Sequence, residues 1–130
     1  MSSARSADPA SVVVRFNGCI ADRDIEALTQ LMTDDHTFID TEGNTVSGRR
    51  ACRFAWQGFF EAFPDYSNVF DAVTAADALV TIVGHSLCSE PALAGPALWT
   101  ATIRDDKVER WCVYTDTPGN RHALGLPDHG

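Results

Sequence analysis

The rhythm of apolar positions changes along the chain, and each change marks an element. Val12, Val13, Phe16, Cys19 and Ile20 recur at three- and four-residue spacing. They form one stripe of a helix that starts around residues 8–11, with Pro9 allowed in its first turn, and fades near Ala21. Asp22 or Asp24 is placed to cap a second, short helix whose buried face is Ile25, Leu28, Leu31 and Met32. From His36 the period shortens to two. Residues 37–40 read as a short strand, ended by the turn residues Glu42, Gly43 and Asn44. A third helix is predicted over 49–63, between Gly48 and Pro64. Phe54, Ala55, Trp56, Phe59, Phe60, Ala62 and Phe63 cover most of its circumference, the pattern of a helix buried from more than one side.

The remainder reads as strands over 66–73, 78–87, 97–104 and 107–115, the last two a hairpin around Asp105-Asp106. Gly84 marks a bulge. The segment from Thr117 onward, with Pro118, Gly119, Gly125 and Pro127, is expected to be irregular. Helices first, then long antiparallel strands, is an α+β order, and such a sheet curls over the buried helix into a cone. The mouth of the curl is where a pocket forms. The expected organisation is a flexible tail over 1–9, one domain over 10–126 and a C-terminal tail over 127–130.

Composition narrows the function. Hydrophobic residues make up 45% and charged residues 22% of 130 positions, a globular mix sufficient for one core. A net charge of -8 with only 10 Lys and Arg argues against nucleic acid and against anionic membrane surfaces. No run of apolar residues is long enough for a membrane span, and residues 1–10 lack the apolar core of a signal peptide, so a cytoplasmic protein is expected. Cys19, Cys52, Cys88 and Cys112 are far apart and read as reduced thiols, mostly buried. The four histidines are equally scattered, with no metal-binding spacing, and no metal is expected.

Several phrases resemble the SnoaL-like polyketide cyclases of the nuclear-transport-factor-2-like superfamily. Phe60-Glu61-Ala62-Phe63-Pro64-Asp65-Tyr66 is similar to the end of their third helix. Asp105-Asp106-Lys107-Val108-Glu109-Arg110-Trp111 resembles their last hairpin, and Trp111-Cys112-Val113-Tyr114-Thr115-Asp116 with Leu124-Gly125 resembles their final strand and tail. The resemblance runs over roughly residues 10–126 and implies the same cone. It also implies a small cofactor-free enzyme doing acid/base chemistry on an apolar carbonyl substrate. The alternatives are a non-catalytic binder of a hydrophobic small molecule and a structural dimerisation domain. Pairing of two copies through the outer sheet face is part of the implied picture.

Carried over residue by residue, the cyclase acid/base aspartate falls on Asp116, nine residues before Gly125. The cyclase histidine falls on Trp99. The general base of the related ketosteroid isomerases falls on Asp40, and their oxyanion-hole tyrosine on Phe16. Asp116 and Asp40 are thus the expected catalytic pair, since two carboxylates in one apolar cavity separate in pKa into an acid and a base. Trp99, Tyr114, His85, Trp56, Phe16 and Phe60 are the expected substrate contacts. For each a plainer role competes: Asp116 and Asp40 as turn caps, His85 as a core or interface histidine, and the helix-three aromatics as core. By alternation Cys112 goes with Tyr114 towards the cavity, whereas Trp111 is expected to be structural or part of a dimer face.

Overall fold

Pro9 opens the first helix, α1 (Pro9–Asp22), in a computed structural model that describes residues 8–127. Of the tails expected at 1–9 and 127–130, residues 1–7 and 128–130 lie outside the described residues, and Pro9 belongs to the helix. Val12, Val13, Phe16 and Ile20 are fully buried along the predicted stripe. Each contributes about 2 kcal/mol of burial. Asp24, one of the two expected caps, accepts from the Ala27 backbone N–H at 3.1 Å and opens α2 (Ile25–Gln30).

β1 (Met32–Ile39) starts five residues before the predicted strand, so Met32 is a strand residue and not the end of a helical face. A short strand missing from the sequence reading, β2 (Thr45–Ser47), pairs antiparallel with it across the predicted turn. The third helix, α3 (Arg49–Ala62), ends one residue before Phe63. Only Cys52, Trp56 and Phe60 are buried along it, and Phe54 is 80% exposed. It is therefore amphipathic and covered from one side, a correction to the two-sided burial expected from its aromatic count.

β3 (Ser67–Ala76), β4 (Leu79–Leu87), β5 (Gly95–Arg104) and β6 (Lys107–Thr115) form the predicted antiparallel meander. Asp105 and Asp106 both have positive φ, 55° and 61°, the turn whose twist suits a two-residue hairpin. The six-stranded order is β2-β1-β6-β5-β4-β3, with β1 parallel to β6 and every other pair antiparallel. On β5, Ala97, Trp99, Ala101 and Ile103 face the core, and Trp111 joins them from β6, its ring 4.6 Å from that of Phe16. Trp111 is thus an inner-face residue and not part of an outer interface.

The bulge read at Gly84 lies on the partner strand. Phe70 pairs with Gly84 and Ala72 with Val83, leaving Asp71 as the extra residue on β3. A Cβ at Gly84 would stand 2.0 Å from the Val69 carbonyl oxygen. Only glycine admits that approach. The segment after Thr117, expected to be irregular, contains α4 (Pro118–Ala123), with Pro118 in its first turn and the Thr117 hydroxyl accepting from Asn120 N–H at 3.1 Å. Among the described residues no helix is long and apolar enough to cross a membrane.

Candidate functional site

Between α3 and the sheet lies a cavity of about 580 Å³. Its helix side is Cys52, Ala55, Trp56 and Phe59; its sheet side includes Phe38, Trp99, Trp111 and Val113. These arrive by two periodicities: every third or fourth residue of α3, and every second residue of β5 and β6. Residues 92–97, around the 3₁₀ turn Pro91–Leu93, border it as well. The Trp56 ring meets Phe38, Phe59 and Phe60 at 5.6–5.7 Å, so this wall is held by aromatic packing. Trp99 is wholly buried, and its indole N–H has no acceptor among the described residues. An unpaired buried donor beside a cavity is a place for a ligand's acceptor.

Asp40 borders the cavity. Its carboxylate also organises the turn after β1. Oδ1 accepts from the backbone N–H groups of Glu42 and Asn44, both at 2.9 Å, and Oδ2 from the Asn44 amide at 3.1 Å. Desolvation pushes this carboxyl upward, but those hydrogen bonds outweigh it and hold the group below the usual carboxylate range. Asp40 is therefore ionised near neutrality, suited to accept a proton and not to donate one.

Asp116 is placed differently from expectation. It is not among the residues bordering the cavity. Its side chain is 3% exposed and faces Arg121, itself 9% exposed, with Nε to Oδ1 at 2.6 Å and Nη2 to Oδ2 at 2.9 Å. Arg121 Nη1 also donates to the Pro127 carbonyl at 2.9 Å. A bidentate guanidinium locks α4 and the following chain onto the end of β6. The apolar, poorly solvated carboxylate expected against Trp99 and Tyr114 is replaced by a buried ion pair.

Of the expected contact residues, Trp56, Trp99 and Tyr114 border the cavity. Tyr114 does so at a strand end. Alternation puts its ring on the face opposite Trp99, and its hydroxyl lies 3.1 Å from that of Thr100. Cys112 shares that outer alternation and does not border the cavity. Phe16 is packed into the core under Trp111, and Phe60 into the base of α3 under the Arg23 guanidinium at 6.0 Å. Neither borders the cavity. His85 is on the outer face, half-exposed, with Nδ1 3.5 Å from Asp71. The neighbouring Ser86 points inward in its place.

Two features escaped the sequence. Tyr66 and Ser86 place hydroxyls on the cavity wall, 3.3 Å apart. His36, read only as one of four scattered histidines, is fully buried on β1, its Nδ1 2.7 Å from the Val108 carbonyl. Burial holds it below the ordinary imidazole range, against the opposing effects of that carbonyl and of Asp35. The neutral ring therefore carries its proton on Nδ1 and a lone pair on Nε2. Burial also raises the Cys52 thiol on the cavity wall, which keeps it protonated and unreactive. No group of three or more His, Cys, Asp or Glu converges as a metal site among the described residues.

The profile of the SnoaL-like domain matches residues 13–111, most of the chain. No curated protein sequence matches significantly. Among solved structures, a candidate SnoaL-like polyketide cyclase from Shewanella putrefaciens CN-32 superposes with a TM-score of 0.75 at 16% identity, covering 95% of this chain and 90% of that one. An NTF2-like protein of unknown function from Cytophaga hutchinsonii ATCC 33406 gives 0.72 at 10% identity, with 95% and 99% covered. An LEH-like epoxide hydrolase from M. tuberculosis gives 0.73 at 14% identity, with 83% and 82% covered. At such identities the likeness concerns the α+β cone alone.

Proposed function

Since the chain belongs to the SnoaL-like family, we propose that it binds an apolar, ring-containing carbonyl compound in the cavity between α3 and the sheet. The cavity carries the reading: about 580 Å³, within the range that accommodates a drug-sized molecule. Its walls are mainly aromatic and aliphatic, with Asp40, Thr41, Glu42, Tyr66, Ser86, Tyr114 and Thr115 as the polar side chains along them. Trp99 borders the cavity and its indole N–H is unpaired among the described residues, so this N–H is the donor assigned to the carbonyl oxygen in this reading.

For chemistry at the site, the reading assigns Asp40 as the base that removes a proton next to that carbonyl. It is ionised and borders the cavity. Asp116 is set aside, because Arg121 already occupies both of its oxygens. A second reading, binding without chemistry, is favoured by the three hydrogen bonds that engage the Asp40 carboxylate and weaken it as a base.

One experiment separates them. 2-Acetylnaphthalene is titrated by tryptophan fluorescence, and exchange of its methyl protons is followed by NMR in heavy water. Saturable binding is expected, weakened about five- to tenfold in Trp99→Phe by loss of one hydrogen bond. Exchange above the buffer rate that disappears in Asp40→Asn, with binding retained, supports the base. Binding with exchange at the buffer rate leaves the binder reading. Absence of saturable binding overturns both.

A further inference from the structure

Four side chains from α1, β3, β4 and the residue before β3 form a hydrogen-bonded line that ends on the cavity wall, and its sense is fixed from its far end. Asn17 donates its Nδ2–H to the Asn68 backbone carbonyl at 3.0 Å. A carbonyl only accepts, so the Asn17 amide has one orientation. Its Oδ1 is then the atom that receives Asn68 Nδ2 at 3.3 Å. That in turn directs Asn68 Oδ1 to Ser86, whose Oγ–H donates to it at 2.8 Å. The single Ser86 proton is thereby used. Towards Tyr66, 3.3 Å away, Ser86 offers only lone pairs, so the phenol is the donor of that contact. Asn68 and Ser86 are both buried, which keeps solvent from re-pairing them.

We propose that Tyr66 presents only an acceptor oxygen to the cavity and thereby selects ligands with a hydroxyl at that point. Phenols and enols fit; the corresponding ethers do not. The inference rests on the cavity's binding a ring-containing carbonyl compound, and narrows that class to hydroxylated ketones. Their carbonyl would meet the Trp99 N–H and their hydroxyl would donate to Tyr66 Oη. A phenolate at position 66 would break the line's sense. Burial opposes that by raising the phenol, although its Ser86 and Asn68 contacts pull the other way.

The test is a matched pair, 6-acetyl-2-naphthol and its methyl ether, titrated by fluorescence into the wild-type chain and into Tyr66→Phe. This variant retains the ring that meets Phe59 edge-on at 4.8 Å. The wild-type protein is expected to bind the naphthol about tenfold more tightly than the ether, the worth of one hydrogen bond plus the cost of an unmatched one. In Tyr66→Phe the ratio should fall to about that of the two compounds' partitioning into octanol. Equal binding of the pair by the wild type, or a preference that survives in Tyr66→Phe, overturns the role of Tyr66 while leaving the cavity a binding site. Failure of both compounds to bind overturns the role and the binding reading together.

Discussion

Asp40 and Asp116 follow β1 and β6, which run parallel side by side, with Ile39 level with Cys112. Both carboxylates therefore leave the same end of the sheet, yet their surroundings differ completely. After Asp40 the chain turns back within four residues, and its own N–H groups solvate the carboxylate at the cavity's edge. After Asp116 the chain winds into α4, and a guanidinium arrives from five residues on. The strand end supplies position; the next few residues decide whether the charge is available to a ligand or consumed by the fold.

The comparison breaks most readily at Arg121. Arg121→Met removes the guanidinium from the buried Asp116 carboxylate, with an expected loss of about 3–5 kcal/mol in urea unfolding. A loss below about 1 kcal/mol would place the pair among exposed ones and erase the contrast. A smaller effect is expected at Gly43, whose φ of 84° suits no side chain well. Gly43→Ala should cost about 1 kcal/mol and loosen the turn. The Asp40 carboxyl, followed by NMR titration, should then move up towards its ordinary value.

The smallest expected effect is the pH dependence of Asp40 itself. Its folded-state pKa lies below the unfolded one, so its stabilisation is present above the ordinary carboxylate range and lost as pH falls through the folded value. The difference in melting temperature between the wild type and Asp40→Asn should accordingly shrink on acidification. A difference that grew instead would mean that the turn does not favour the charged form.

The sequence makes the scaffold plain and the site only half so. Periodicity places α1, α3 and the last four strands, because a buried stripe repeats and two adjacent aspartates at a hairpin tip have few other uses. It misses the first half of β1, since Leu31 and Met32 continue the spacing of α2 while the backbone has already changed state. It misses α4, a helix of six residues that contains Pro118 and Gly119 and is held by Thr117 and Arg121 instead of by propensity. Within the site, Trp56, Trp99 and Asp40 are legible from spacing and resemblance. Alternation cannot say which inner residues pack solidly, as Phe16 and Phe60 do, and which border empty space. The line from Asn17 to Tyr66 joins directly bonded partners up to 51 positions apart and leaves no local pattern.

The Val69 carbonyl beside Gly84 links tolerance at one position to the length of a different strand. In a saturation library, column 84 would retain a single letter, while the half-exposed neighbours Val83 and His85 accept many. Removing Asp71 would restore strict pairing between β3 and β4. It would leave the inward and outward residues unchanged, since Phe70 and Val73 already pack against the core on either side of it. The side chain missing from one strand thus lies beside the extra residue of the other, and tolerance at position 84 is set by a strand to which it does not belong.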